Sequence, residues 1–169
     1  GFNVATLLQL ASAIATLADG GQRYKPHLVH ALRRSFDQPP VPLVPEKIGD
    51  NLVRDPAHLA LVKRGLEAVL NSPSGTARAV AEGAPYRMAG KTGTAQRVSR
   101  NRDTDVQAVL REGQKNQALF VAYAPAEAPR IAVAVVVEQG GSGSASAAPV
   151  ARRIFDAWLT GPTATESAP

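Results

Sequence analysis

The sequence contains no cysteine, which removes disulfide frameworks and thiolate metal sites and leaves the redox compartment unread. No apolar run approaches the roughly 20 residues that cross a bilayer, and no signal peptide opens the chain. Aromatic residues make up only 5% of the 169 positions, too few for an aromatic-lined pocket or a base-stacking platform. Histidine is sparse as well. His27 and His30 lie three apart on an expected strand and so point to opposite faces, while His58 falls in the first turn of an expected helix; structural roles suit all three, and neither a metal nor a cofactor is expected. No internal repeat appears.

What is present is 44% hydrophobic and 20% charged residues, the balance of one globular unit with a single core. The apolar mass is mostly Ala, Val and Leu, which suits helices packed thinly on a sheet. A formal charge of +5 raises the question of nucleic acid, because clustered Lys and Arg displace phosphate counterions. The arginines answer it. Arg33-Arg34, Arg97, Arg100, Arg102 and Arg152-Arg153 are scattered through Ala-rich segments without interleaved aromatics, so no nucleic-acid partner is expected; a solvated, mildly basic surface would also suit an anionic polymer. The chain opens at Gly1 inside a helical pattern, without an initiator Met, and reads as a piece of something longer.

Between Val4 and Asp19, Leu7, Leu10, Ala11, Ile14, Leu17 and Ala18 recur at helical spacing behind a Thr6/Gln9 capping box, and Gly20-Gly21 ends the helix. Tyr24 to Leu32 reads as a short strand, and Gln38 to Pro45, with four prolines, as a stiff connector. Asp55-Pro56 is an N-cap with a first-turn proline, and Leu59, Val62, Leu66, Val69 and Leu70 mark one face of a helix ending near Asn71. Ser72 to Gly75 reads as a turn, Thr76 to Ala81 as a short helix and Arg87 to Val98 as extended. Ser99 to Lys115 is polar and irregular, an insertion or mobile loop. Ala118 to Ala124 and Ile131 to Val137 predict an antiparallel hairpin; the second run has no polar face, which predicts a central strand covered on both sides. A Gly/Ser loop, Gln139 to Ser146, precedes a final helix over Ala148 to Leu159 with Val150, Ile154, Phe155 and Trp158 inward, and Gly161 to Pro169 reads as a frayed tail.

The chemistry concentrates in Lys91-Thr92-Gly93-Thr94, on a strand that precedes the hairpin and final helix. An ammonium and a hydroxyl on adjacent residues of an exposed strand edge can grip one carboxylate, by charge and by a hydrogen bond. Gly93 lets a substrate backbone lie against the strand, and the Thr94 amide can point at a developing oxyanion. The tripeptide alone occurs often by chance, and a surface strand lysine is the plain alternative. Glu138, at a strand end beside Gly140-Gly141, could border the same groove, but solvation accounts for it equally well.

Six segments in order add context: Ala5-Thr6-Leu7-Leu8-Gln9-Leu10-Ala11, Lys25-Pro26-His27-Leu28-Val29, Ser74-Gly75-Thr76-Ala77, Ala89 to Gln96, Ala118 to Pro125, and Val137 to Gly141 before Ala147-Ala148-Pro149-Val150-Ala151-Arg152. Together they cover nearly all of residues 1 to 160, and in them the chain resembles the class B penicillin-binding proteins, within them the elongation-type penicillin-binding protein 2 branch. The resemblance implies an α/β (α+β) fold, an antiparallel sheet covered by helices on both faces, with residues 1–160 as the C-terminal part of a transpeptidase domain. It also implies a serine acyl transferase that cross-links peptidoglycan stem peptides, is acylated by β-lactam antibiotics, works at the periplasmic face of the bacterial inner membrane and partners an elongation-machinery glycan polymerase.

The family uses Ser-x-x-Lys, Ser-x-Asn and Lys-Thr-Gly in that order. None of the serines here has lysine three residues on, and Ser99-Arg100-Asn101 follows Lys-Thr-Gly instead of preceding it, so it reads as a decoy. By the resemblance, Lys91 supplies electrostatics, Thr92 a contact to the terminal carboxylate, Gly93 clearance and the Thr94 amide half of an oxyanion hole. No catalytic nucleophile is assigned within the 169 residues, and alone they are expected to be inactive. A non-catalytic carboxylate-binding or interaction module of the same fold stays open as an alternative, with a related β-lactamase or β-lactam sensor as a third.

Overall fold

The computed structural model describes residues 4–95 and 116–161. Helix α1 (Leu7–Ala18) begins where the capping box predicts: Thr6 Oγ1 accepts the Gln9 N–H at 3.2 Å and Gln9 Oε1 accepts the Thr6 N–H at 2.9 Å. It stops at Gly20 and Gly21, whose φ values of 73° and 99° are left-handed, a conformation glycine adopts without penalty. Helix α2 (Pro56–Asn71) is started by Asp55, whose carboxylate accepts the Ala57 N–H at 2.8 Å. Its Lys63 Nζ donates to Ala18 O at 2.8 Å, placing a cation at the electronegative end of α1 and tying the two helices together.

The segment between them departs from expectation. In place of a strand over Tyr24–Leu32 there is an isolated Tyr24–Lys47 bridge and a two-residue pair, β1 (Ala31–Leu32) with β2 (Val41–Pro42). Pro26 removes a donor early in the run, and among the described residues nothing covers the tip of the arm that follows: Leu28 and Phe36 are fully exposed. A two-stranded ribbon with no layer packed on its faces has little to hold it. The proline connector, conversely, contributes β2, because Pro42 sits in a two-stranded ribbon where one donor can be missing.

A short helix α3 (Arg78–Ala81) leads into the main sheet, β3 (Ala89–Ala95), β4 (Gln117–Ala124) and β5 (Ile131–Val137), all antiparallel in the order β3-β4-β5. The expected hairpin forms, but among the described residues β4 is the central strand. Ala118, Phe120, Ala122, Tyr123 and Ala124 on it are all buried. Among the described residues β5 is an edge, contrary to the central position predicted for it. Its faces are nonetheless covered, by α1 on one side and by α4 (Ala148–Thr160) on the other, so the apolar pattern reported coverage of the faces and not lateral pairing.

Two cores result. Phe120, Met88, Leu70, Ala77, Ala148, Ala151 and Phe155 pack under α4; Ile14, Ala18, Ala89, Tyr123 and Ala126 pack under α1. The sheet thus carries helices on both faces, the α/β arrangement anticipated. The inward face of α4 differs from prediction: Phe155 is buried, whereas Val150, Ile154 and Trp158 are exposed. Contact is made through Ala147, Ala148 and Ala151, none of which has accessible surface; small residues let the helix approach the sheet closely and turn the larger side chains to the flank. Gln139–Ser146 is not all loop, since Gly143–Ala147 forms a π-helical turn continuous with α4. Ser142 Oγ accepts the Ala145 N–H at 3.3 Å and Ser146 Oγ donates to Gly140 O at 2.6 Å. The expected insertion at 99–115 and all but the first residue of the expected tail lie outside the described residues.

Candidate functional site

Strand β3 enters the sheet buried and leaves it accessible. Ala89 and Gly90 are buried, Lys91 and Thr94 exposed, Thr92 and Gly93 half-buried. Gly90 is required by close packing: a Cβ there would meet Val121 O at 2.6 Å, Ala122 Cβ at 2.7 Å and Phe120 Cζ at 3.0 Å. Pairing with β4 sets Lys91 opposite Val121, Thr92 opposite Phe120, Gly93 opposite Leu119 and Thr94 opposite Ala118. Since successive side chains alternate, Thr92 and Thr94 share the face that carries Phe120, and Lys91 leaves from the other. A ligand shared by Lys91 and Thr92 therefore has to sit at the rim of β3, where the long lysine stem can come round. Lys91 already bends along the strand, its Nζ donating to Thr92 O at 2.9 Å.

Other elements fix this strand. From α2, Asn71 Nδ2 donates to Met88 O at 2.8 Å and to Glu67 O at 2.7 Å. Arg87, just ahead of β3, forms ion pairs with Glu67 at 2.9 Å and Glu127 at 3.1 Å. Beyond Thr92, Gly143 lies so close that a Cβ on it would meet Gly93 O at 2.7 Å, Gly93 N at 3.0 Å and Leu119 O closer still. The Thr76 hydroxyl, on the turn after α2, stands 3.3 Å from Thr92 Oγ1. Sequence reasoning assigned no role to Gly143 or Thr76. The Gly/Ser run around 143 resembles any flexible linker, and no local pattern relates Thr76 to a strand 16 residues on.

The remaining candidates stay apart from Lys91–Thr94. His27 Nδ1 lies 2.8 Å from Val29 O within the exposed arm, not on a strand, and His58 faces Asp55 at 3.6 Å. Glu138 is exposed in the turn after β5. Ser99-Arg100-Asn101 lies outside the described residues. Among the described residues, one buried polar side-chain atom has no partner, the Tyr123 hydroxyl beneath α1; burial, and then the Glu67 charge, raise its pKa.

The assembly has known counterparts. Residues 3–156 match the family model described as the penicillin binding protein transpeptidase domain. The chain is 37% identical over 161 residues to the peptidoglycan D,D-transpeptidase MrdA of Haemophilus influenzae, covering 94% of this chain and 24% of that protein. A crystal structure of Pseudomonas aeruginosa PBP2 in complex with WCK 5153 aligns with a TM-score of 0.68 and 39% identity, over 94% of this chain and 31% of the other. The imipenem acyl-enzyme complex of penicillin-binding protein A from M. tuberculosis aligns with a TM-score of 0.68 and 28% identity, over 94% and 32%. The chain thus spans about a quarter of the length of the curated relative it matches. On its sequence, its two-faced sheet and the position of Lys91-Thr92-Gly93, the chain belongs to the penicillin-binding protein transpeptidase domain family.

Proposed function

We propose that these residues form the substrate-clamping side of a peptidoglycan D,D-transpeptidase whose serine nucleophile and lysine base are supplied by residues outside this sequence. The observation that carries the proposal is Lys91-Thr92-Gly93-Thr94 on an accessible outer strand, braced by α2 and by the turn before α4. In the reaction, the serine oxygen bonds to the penultimate D-alanine carbonyl carbon of a stem peptide. The peptide bond breaks, and terminal D-alanine leaves as its amine with the proton taken from serine. An amine of a neighbouring stem then attacks the ester and returns the proton to serine. Lys91 places positive charge beside the substrate's terminal carboxylate, Thr92 donates a hydrogen bond to it, Gly93 leaves room for the peptide, and the Thr94 amide stabilises the oxyanion. A β-lactam carries a carboxylate and a strained amide in the same relation, so it is accepted by the same clamp. The parent protein would act at the periplasmic face of the inner membrane, beside an elongation-machinery glycan polymerase.

The alternative reading is a non-catalytic carboxylate-binding module that keeps the clamp and has no nucleophile. Fluorescent-penicillin labelling separates the two. The full-length protein is expected to label covalently, the 169-residue chain not at all, and Lys91→Ala in the full-length protein is expected to slow labelling by about 100-fold, the scale of a lost charge-assisted contact at a reacting centre. A folded full-length protein that does not label is the non-catalytic module.

A further inference from the structure

Thr92 Oγ1 has one proton and two lone pairs, whereas a carboxylate only accepts. For Thr92 to serve an anion at the rim of β3, its proton must point outward and its lone pairs must be served from behind. Thr76 Oγ1 is 3.3 Å away, and either hydroxyl can be the donor. Once an anion occupies the outer side, one assignment satisfies all three groups: Thr76 donates to Thr92 and Thr92 donates to the carboxylate, each bond polarising the next. The separation is longer than the roughly 2.5–3.0 Å of a well-formed O–H···O bond, and hydrogen bonds of this kind commonly shorten when a ligand binds.

The backbone holds Thr76 in place on both sides. A Cβ on Gly75 would meet Val69 O at 2.5 Å and Ala68 O at 2.7 Å, so the chain presses against the last turn of α2. On the other side Ala77 is buried in the core and its N–H donates to Val69 O at 3.0 Å. Asn71, five residues earlier and the last residue of α2, bonds Met88 O at 2.8 Å, so the end of α2 that leads into the Thr76 turn is keyed to the start of the clamp strand. Thr76 itself remains exposed, on the accessible side of this brace.

We propose that Thr76 is a positioning residue for the carboxylate clamp, orienting the Thr92 hydroxyl toward the bound anion; this rests on the transpeptidase reading above. In the full-length protein, Thr76→Val, which keeps the shape and removes the hydroxyl, is expected to lower the second-order rate of penicillin acylation about fivefold, the scale of one neutral hydrogen bond. Thr76→Ser restores it. The loss disappears with penicillin methyl ester, which has no carboxylate, and in a Thr92→Val background, where the partner is gone. Equal rates for Thr76→Val and the unaltered protein would overturn the proposal. So would parallel losses toward acid and ester, the signature of a purely structural role or of a variant that has lost its fold. Failure of the unaltered protein to react with either probe would instead sink the transpeptidase reading itself.

Discussion

Gly143 is demanded by the backbone that crosses it: a side chain there would run into Gly93 and the Leu119 carbonyl. Gly143→Ala must push the turn before α4 away from the clamp strand, and overpacking of this kind costs about 1–3 kcal/mol. The expected outcome is a lower thermal midpoint together with slower penicillin labelling, whereas the same change at Gly141, which has open space but φ 74°, should destabilise without touching labelling. Tyr123 gives the opposite sign. Its buried hydroxyl has no partner among the described residues, so Tyr123→Phe removes an unsatisfied group and should raise stability by about 1 kcal/mol; a loss in denaturant unfolding would mean that the hydroxyl is bonded from elsewhere. Neither position is conspicuous in the sequence. A glycine beside serines looks like a linker, and alternation alone cannot tell a bonded tyrosine from an orphaned one.

Helix α4 is held to the sheet by packing, and to α3 and the segment before β3 by a polar lock. Phe155 is fully buried and meets Tyr86 edge-on, with ring centroids 6.5 Å apart; Phe155→Ala should cost about 3–5 kcal/mol and be read as a fall in the unfolding midpoint. In the lock, Tyr86 donates to Asp156 at 2.6 Å, while Arg152 grips the same carboxylate at 2.8 and 2.9 Å and donates to Val80 O at 2.8 Å. Burial alone would raise the Asp156 pKa, but the Tyr86 hydroxyl and the Arg152 guanidinium outweigh it and hold the carboxyl below its ordinary value. A carboxylate depressed in the fold stabilises above its unfolded pKa and stops doing so as pH falls through the folded one. The lock therefore gives its full stabilisation above about pH 4 and loses it as pH falls further, through the lower folded-state value, and Asp156→Asn should flatten the acid limb of a stability-against-pH curve while lowering stability at neutral pH. The helix itself was legible from Ala148 onward, but of the four residues expected inward only Phe155 is buried. Hydrophobicity points to Val150, Ile154 and Trp158, and close approach to the sheet selects alanines instead.

Much of the molecule's apolar surface is uncovered. The arm from Arg23 to Asp50 exposes Leu28, Phe36 and Val44, and a groove of about 650 Å³ between α1 and the arm's base is lined by Leu8, Leu17, Pro26, Leu52 and Val53. Contiguous apolar surface of this kind drives association. The isolated 169-residue chain is expected to bind a hydrophobic dye and to sediment as oligomers at micromolar concentration, and a monodisperse monomer would contradict this. The sequence by itself determined α1 and α2 to within a few residues, the β4–β5 hairpin, and Lys91-Thr92-Gly93 on a strand, because caps, periodicity and turn residues act between near neighbours in the chain. Only the tertiary structure decided that β4 lies between β3 and β5 among the described residues, that alanines face α4 to the sheet, and that Thr76 and Gly143 close on the clamp strand. Those are contacts between residues distant in sequence, and they depend on how closely backbones can approach, which no local pattern records.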